Sequence, residues 1–168
     1  MQRSVLITKD VLATNNKRLA NYVVDVIAQY AISYSLVLVA EQLYVYFESD
    51  WLYNFLTNDG FLFNLLSGYG LLVVYYTIFE TLTQRSLGKY ITGTKVLVQD
   101  GSVPSAGTIA LRSLCRVIPF EHFSFLGDKQ GGWHDRFTST VVVNVKEYEE
   151  VMLLKNSFEE IGKEQNYN

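Results

Sequence analysis

Residues 19–42 read LANYVVDVIAQYAISYSLVLVAEQ, a stretch that is mostly apolar. At about 1.5 Å per residue, a helix of this length crosses a hydrocarbon layer of about 30 Å. A second apolar run, at residues 61–82, reads FLFNLLSGYGLLVVYYTIFETL and is also long enough to span the hydrocarbon layer as a helix. The two runs predict a two-span transmembrane hairpin, in which Gly68 and Gly70 are available for close helix contact.

The charges around the spans predict how the hairpin is oriented. Basic residues near the spans lie only on the outer flanks; they are Lys9, Lys17, Arg18, Arg85, Lys89 and Lys95. The loop between the spans has none, and it carries aromatic side chains such as Trp51 that favour the membrane–water boundary. Because basic flanks stay in the cytoplasm, both termini are expected there and the loop is expected outside.

The composition indicates one membrane unit with modest aqueous extensions. Of the 168 residues, 49% are hydrophobic and 18% are charged, and the mean hydropathy is +0.10. The net charge of −3 argues against a nucleic-acid partner, which needs a concentrated basic face. The single cysteine, Cys115, and two histidines offer no disulfide and no usual zinc site, so no metal or cofactor is expected. Residues 1–14 lack the order of a cleaved signal peptide, so the first span is expected to remain in the mature protein.

Two β-rich runs predict a small cytoplasmic sheet. Residues 95–99 lead into a turn at Asp100-Gly101, because an Asp-Gly pair tolerates positive φ. Their expected partner is the run at residues 138–145, and residues 5–8 are a candidate third strand. The sheet should pack against the membrane face of the hairpin.

Residues 105–118, between the strands, predict a short helix that begins at a serine cap and ends before a proline. It is too short to span, and Arg112 and Arg116 lie one turn apart. The helix is therefore expected to be amphipathic or re-entrant and to lie along, or dip into, the inner leaflet. A full third span would require burial of both arginines. Downstream, Phe123 and Trp133 are expected to anchor at the interface.

One face of the first span is polar through half of the membrane. On a helix at about 100° per residue, this stripe contains Arg18, Asn21, Asp25, Gln29 and Ser33. An ionised carboxylate in hydrocarbon costs on the order of 2.5–3.5 kcal/mol, so Asp25 needs a partner, for which Arg18, Arg112 and Arg116 are candidates. Glu80 lies at a similar depth in the second span. We favour a static buried network that fixes the hairpin, and the alternative is a proton- or cation-coupled site in which Asp25 changes charge.

The late segment GGWHDR has the composition of a tight loop. His134 could act as a base that Asp135 orients, but no nucleophile or oxyanion donor is identifiable. We therefore expect no catalytic residues and no enzyme. Asp135 is expected instead to pair with a neighbouring cation such as Lys89, Arg112 or Arg116.

Three features resemble the RDD family of bacterial membrane proteins: Arg18, Asp25, and the segment GWHDRFTSTVVV with its Asp135. The intervening SLGKYITGTKVLVQDGSVPS is similar to the family's Gly-Lys, Gly, Val and Asp-Gly signature, and the segment from Arg112 to Arg116 is similar to its arginine-containing helix. The resemblance covers roughly residues 17–145. It implies a multi-pass protein of the bacterial cytoplasmic (inner) membrane, and the run IPFEHFSFLG is similar to a shorter branch with a reduced third span. It implies architecture more than activity.

The predicted organisation is an RDD-like membrane domain, residues 1–145, followed by an acidic cytoplasmic tail, residues 146–168, with a short surface helix. The predicted fold is an α-helical membrane protein with a two-span hairpin, an inner-leaflet helix and a small cytoplasmic β-sheet. We expect a non-catalytic accessory or stabilising subunit of a larger membrane complex, in contact with the lipid bilayer and with other membrane proteins or copies of itself. The alternative is an oligomeric ion- or proton-coupled transporter that uses Asp25, since two spans alone cannot enclose a path and no inverted repeat is evident.

Overall fold

The computed structural model describes residues 7–121, 124 and 131–165, with side chains described up to residue 158. Its elements are a 3-10 turn (Lys9–Val11), α1 (Asn15–Phe47), α2 (Trp51–Leu56), α3 (Phe61–Thr83), α4 (Leu87–Thr92), β1 (Thr94–Val98), α5 (Ala106–Cys115), α6 (Trp133–Phe137), β2 (Thr140–Asn144) and α7 (Val145–Gln165). The chain is thus mostly helical in its described part, with one small sheet.

Two helices, α1 and α3, are long and apolar enough to cross a membrane by length and composition. The protein buries only 11% of the most apolar window in each helix, whereas a core helix of a soluble protein would be mostly covered. The two apolar helices predicted at residues 19–42 and 61–82 are therefore confirmed. α1 is longer than predicted, because Thr14 caps a first turn that includes polar residues and the helix continues to Phe47.

The two long helices touch each other at only a few positions. Gly68 and Gly70 are exposed, and a Cβ atom added at either glycine would meet no atom within 4 Å. The interpretation of these glycines as packing positions within the hairpin is therefore wrong. The helices are joined mainly at one end, where α4 packs on α1 and α5 packs on α3.

The predicted pairing of the two β-rich runs is confirmed. β1 and β2 form an antiparallel pair, with Thr94 opposite Asn144 and Val98 opposite Thr140. The turn after β1 forms as expected, since Gly101 has a φ of 84° and its N–H group donates to the Val98 carbonyl at 2.9 Å.

The N-terminal segment joins the sheet later in the chain than predicted. Ile7 and Thr8 are in no strand, and residues 5 and 6 lie outside the described part. The contact is made instead by Leu12, which forms an isolated bridge with Val143, and by the Ala13 N–H group, which donates to the Val142 carbonyl at 2.8 Å.

The sheet forms the centre of a small apolar core. One cluster of buried side chains, packed with α5, contains Ala13, Val96, Ile109 and Val142. The other contains Val11, Leu97 and Val143, and Tyr148 of α7 packs against it. The alternation of these residues along β1 and β2 places them on opposite faces, so both faces of the sheet are covered.

The short helix α5 carries two arginines that the protein buries. Ser105 caps it as expected, accepting the Thr108 N–H group at 3.1 Å. However, Arg112 and Arg116 point into the protein and are buried, while Leu111 and Leu114 are exposed. The arginines are therefore not available to headgroups, and the apolar side of α5 faces outward.

Two further elements differ from the prediction. The segment expected to be a tight loop forms α6, after a turn in which Gly131 has a φ of 105°. The tail forms α7, a helix of 21 residues that starts directly after β2 and is longer than the short surface helix predicted. Of the predicted apolar stripe, Val151, Leu154 and Phe158 are exposed, and the side chain of Ile161 lies outside the described ones.

Candidate functional site

A buried cluster of charged side chains joins the ends of α1 and α3 that are nearest the sheet. We call it the charge network; its members are Arg18, Asp25, Glu80, Lys89, Arg112, Arg116, Glu121, His134 and Asp135. Each is less than 9% exposed, and together they come from α1, α3, α4, α5, α6 and the segment after α5. Charged side chains are almost never this buried unless they are paired, so the partners of each one decide what the cluster does.

Glu80 gathers three cations at the end of α3. Its carboxylate accepts from Lys89 Nζ at 3.0 Å, from Arg112 Nε at 3.1 Å and from Arg116 Nη2 at 3.3 Å. One turn earlier in α3, the ring of Tyr76 lies 4.0 Å from the Arg116 guanidinium carbon, a cation–π contact. These contacts fasten α4 and α5 to α3.

Asp135 is the second carboxylate at the centre of the network. One of its oxygens accepts from Arg18 Nη1 at 2.5 Å, and the other accepts from Arg112. The Gly132 N–H group also donates to Asp135, at 3.1 Å, which closes the first turn of α6. Arg112 donates in addition to the Thr140 hydroxyl in β2, so one guanidinium connects α3, α6 and the sheet.

Asp25 is held by neutral donors. Its carboxylate accepts from the Tyr75 hydroxyl at 2.8 Å, the Ser86 hydroxyl at 2.6 Å and the Gly88 N–H group at 2.8 Å. Within the described part of the chain it makes no ion pair, so the expectation of an arginine partner is wrong. The three arginines bind the other two carboxylates instead. Asp25, which belongs to α1, therefore caps the first turn of the neighbouring helix α4.

The polar stripe of α1 makes a second contact nearer the start of the helix. The amide of Asn21 lies between the hydroxyls of Thr92 and Thr94. A Cβ atom added at Gly88 would collide with the backbone carbonyl of Asn21, so only glycine permits this approach of α4 to α1. Further along the stripe, Gln29 and Ser33 are half-buried and lie outside the charge network.

His134 is enclosed by two carboxylates. Its Nδ1 atom pairs with Glu121, and its Nε2 atom lies 3.5 Å from an Asp135 oxygen. Burial and the charge of Arg116 lower the pKa of His134 to about 4, although Asp135 opposes them. Burial alone would raise the pKa of Glu121, but the hydrogen bonds from His134 and the charge of Arg116 bring it down to about 2. Because both ring nitrogens face carboxylates, neither is directed at a nucleophile.

Burial and neighbouring charges have opposite effects on the pKa values of Asp135 and Lys89, two further members of the network. Burial tends to raise the pKa of Asp135, but the nearby charges of Arg112 and Arg18 hold it well below the ordinary value. Burial lowers the pKa of Lys89, and the charge of Glu80 opposes this shift.

The structure brings together five of the residues proposed from the sequence as a charge network: Arg18, Glu80, Arg112, Arg116 and Asp135 share ion pairs. Asp25 hydrogen-bonds to none of them directly and is connected to Glu80 through Ser86, whose hydroxyl accepts from Lys89 Nζ at 3.3 Å. Of the proposed interface anchors, Trp51 at the start of α2 and Trp133 at the start of α6 are exposed, and Phe123 lies outside the described residues. Within the described ranges, no group of three or more His, Cys, Asp or Glu side chains could hold a metal ion.

Sequence reasoning missed several participants. Lys89 was expected as one of three candidate partners of Asp135, of which Arg112 makes that pair, whereas Lys89 pairs with Glu80. Tyr75, Ser86 and Gly88 were given no role beside Asp25. Ser86 did carry a signal, since a serine before a short apolar run is a typical helix cap, and its hydroxyl accepts the Lys89 N–H group at 3.4 Å. Nothing in the sequence indicated the contact between Ser86 and Asp25, because the two residues are 61 positions apart in the chain.

Comparison with known protein families gives a match. The model of the RDD family matches residues 12–143, a range that contains every member of the charge network. No curated protein and no solved structure matches the chain. The family and the two apolar helices together suggest a membrane protein. Because the family model covers most of its length, the resemblance predicted from the sequence is confirmed, and the chain belongs to the RDD family.

Proposed function

We propose that the chain is a non-catalytic accessory or stabilising subunit of a larger complex in the bacterial cytoplasmic membrane. The observation that supports this proposal is the uneven covering of the two long helices. At one end the charge network locks them to four other elements, whereas over most of their length their apolar surface is bare. A surface of this kind is suited to contact with lipid or with other membrane helices.

One bare face of α1 favours a protein partner. It is a ridge of exposed side chains spaced three or four residues apart: Val23, Ile27, Tyr30, Tyr34 and Leu38. Tyr30 is 75% exposed and lies about 22 Å along the helix axis from Asn15, which is mid-depth for a spanning helix. We call this surface the tyrosine ridge.

The tyrosine hydroxyls are the reason to expect protein there. A phenol group in the centre of a bilayer has no lipid group with which to form a hydrogen bond, and an unpaired hydroxyl in an apolar medium costs about 1–3 kcal/mol. Tyr30 and Tyr34 make no hydrogen bond with other described residues. A neighbouring helix with a polar side chain or an open carbonyl would satisfy both groups.

The rival hypothesis, an oligomeric ion- or proton-coupled transporter centred on Asp25, has less support from the geometry. Both oxygens of the Asp25 carboxylate already accept hydrogen bonds, and the side chain is 1% exposed. A carrier would have to break the cap of α4 in each cycle. The same contacts serve a static structural role without movement.

The proposed orientation has both termini in the cytoplasm, because the basic flanks Lys17 and Arg85 lie at the sheet end of α1 and α3. Cysteine accessibility tests it in a Cys115→Ser background. A membrane-impermeant maleimide should label Asn58→Cys in intact spheroplasts and should label Lys9→Cys only after permeabilisation. The reverse pattern would overturn the orientation.

The subunit proposal is tested by photocrosslinking in the native membrane followed by mass spectrometry. A photoreactive phenylalanine analogue replaces Tyr30, and the matched control carries it at Val39, which is also exposed but lies on another face of α1. We expect a crosslink from position 30 to a different membrane protein, in a stoichiometric complex that native mass spectrometry recovers. Crosslinks only between copies of this chain would favour the transporter, and crosslinks to lipid alone from both positions would refute the subunit role.

A further inference from the structure

A polar cleft opens beside the sheet end of α1 and α3, separate from the charge network. We call it the end cleft; among the residues that line it are Lys17, Arg85, Asn144, Lys146, Glu147 and Glu150. Its volume is about 700 Å³, within the range of sites for small molecules. The walls come from the first turn of α1, the segment after α3, the end of α4 and the first turns of α7.

The charges of the end cleft are of both signs and do not pair with one another. Lys17, Arg85 and Lys146 are basic, and Glu147 and Glu150 are acidic. Among the described residues none of the five takes part in an ion pair within 4.0 Å. This contrasts with the charge network, where the basic groups contact carboxylates directly.

Neighbouring residues hold some of these side chains in place without neutralising them. The guanidinium of Arg85 lies 5.3 Å from the centre of the Tyr90 ring. The Glu147 carboxylate accepts from the Asn144 amide at 2.8 Å, which leaves its second oxygen free for another donor. The cleft therefore presents separated positive and negative groups across an open space.

The position of the cleft along the long helices sets the kind of ligand that can reach it. Lys17 is the third residue of α1, and Arg85 follows the last residue of α3 by two positions. If α1 and α3 span a bilayer, the two side chains lie at the level of the lipid phosphates. The adjacent side chain of Ile91 also lines the cleft and is 72% exposed, which provides an apolar edge toward the acyl chains.

We propose that the end cleft binds a phospholipid headgroup that contains both a phosphate and a primary ammonium group, as in phosphatidylethanolamine. Lys17 and Arg85 contact the phosphate, and Glu147 and Glu150 accept hydrogen bonds from the ammonium group. The inference is independent of the accessory role and depends only on the two helices spanning a bilayer.

The acidic residues decide between headgroup classes. A purely anionic headgroup such as phosphatidylglycerol would meet two carboxylates on α7, and like charges at close range are unfavourable. A quaternary ammonium, as in phosphatidylcholine, has no N–H group to donate. A primary ammonium offers three donors and the opposite charge.

The test measures lipid retention by native mass spectrometry. The full chain is reconstituted in nanodiscs that contain equimolar phosphatidylethanolamine, phosphatidylglycerol and phosphatidylcholine with identical acyl chains, and is then released into the gas phase. We expect retained phosphatidylethanolamine to exceed each of the other two lipids. The double variant Lys17→Gln/Arg85→Gln removes both side chains that contact the phosphate. It should weaken retention of all three lipids by roughly tenfold.

A second double variant separates specific recognition from general lipid contact. Glu147→Gln/Glu150→Gln should abolish the preference for phosphatidylethanolamine over phosphatidylcholine while total phospholipid retention stays within about twofold. The matched control is Glu149→Gln, which removes an exposed carboxylate of the same helix that does not line the cleft. It should keep the wild-type preference.

Three results of the lipid-retention measurement would overturn the proposal. They are equal retention of the three lipids by the wild type, a preference that survives Glu147→Gln/Glu150→Gln, and a preference that Glu149→Gln also removes. Soluble O-phosphoethanolamine, added in a thermal-shift assay, distinguishes the source of the headgroup. Stabilisation by this compound without retention of any lipid would show that the end cleft binds a soluble ligand, and this result would also overturn the proposal.

Discussion

The N–H group of Gly88 donates a hydrogen bond of 2.8 Å to the carboxylate of Asp25, so that a residue of the long helix α1 caps the first turn of the short helix α4. The same carboxylate accepts the hydroxyl groups of Ser86 and Tyr75. Asp25 thus links α1, α3 and α4 at one point. These contacts favour the structural one of the two roles proposed for this residue.

Replacement of Asp25 by Asn should destabilise the protein, although the two side chains have nearly the same size. The amide retains one acceptor oxygen but loses the negative charge that favours the start of α4, and its NH₂ group faces donors. We expect a loss of about 1–3 kcal/mol in the free energy of unfolding. Thermal unfolding of the detergent-purified chain measures this loss. An unchanged melting temperature, combined with loss of an ion flux in proteoliposomes, would favour the transport role.

Gly88→Ala should separate α4 from α1. Its Cβ atom would collide with the Asn21 backbone carbonyl, and backbone atoms cannot rotate away. Overpacking of this kind typically costs about 1–3 kcal/mol. The matched control is Gly68→Ala, also in a helix, where an added Cβ meets no atom within 4 Å. We expect a lower melting temperature for the first variant only, and equal melting temperatures would contradict the described approach of the two helices.

Arg112→Met should be the most damaging substitution in the charge network. Arg112 bonds to both Glu80 and Asp135, and its removal leaves each carboxylate buried with one cation fewer. Breaking a buried ion pair by removing one partner costs about 3–5 kcal/mol.

The control for this substitution is Arg136→Met, which removes an exposed arginine of α6 that makes no ion pair with other described residues. The free energy of unfolding should change by less than about 0.5 kcal/mol. Limited proteolysis of both variants in detergent provides a second readout. A stable, folded Arg112→Met protein would contradict the role assigned to the network.

Acidification should destabilise the protein in two steps. The pKa of His134 is about 4 in the folded chain and ordinarily 6.5, so the unfolded state takes up a proton first and stability falls between these values. The pKa of Glu121 is about 2 instead of 4.5, so further stability is lost below about pH 4.5.

The contribution of His134 is isolated with His134→Gln, which removes the titrating group. The melting temperature of wild type should drop from pH 7 to pH 5, and the drop should be smaller in the variant. If both proteins lose the same stability over this interval, His134 is not buried in its neutral form. Each pKa unit corresponds to about 1.4 kcal/mol, so the effect lies within reach of calorimetry.

Periodicity and composition predicted the long elements because their signals are local. A run of apolar residues of spanning length, a serine before a helix and an Asp-Gly turn each act through neighbouring residues. The helices α1 and α3, the cap of α5 and the antiparallel pair of β1 and β2 were therefore predicted. The short helices α2 and α4 were missed, since six residues carry too little periodicity to be recognised.

The partners of buried charges were predicted less well. The sequence indicated that Asp25, Arg112 and Asp135 belong to one region, and the expected pairing of Asp135 with Arg112 is observed. The sequence also assigned an arginine to Asp25, which the structure does not pair with one. Pairing depends on side-chain direction across segments that are distant in the chain. Because several carboxylates and several cations lie at a similar depth, many pairings are electrostatically acceptable, and only packing selects one of them.

What the sequence by itself determined is the family, the two apolar helices and the small sheet, because apolar length, β propensity and turn residues act through the chain nearest to them. The tertiary structure decided that α4, through Gly88, fits against α1, that Asp25 receives neutral donors, and that Arg112 is shared by Glu80 and Asp135. It also left the tyrosine ridge uncovered and the charges of the end cleft unpaired. These features depend on the relative placement of helices, for which a closest approach of a few ångströms decides which groups bond and which stay open.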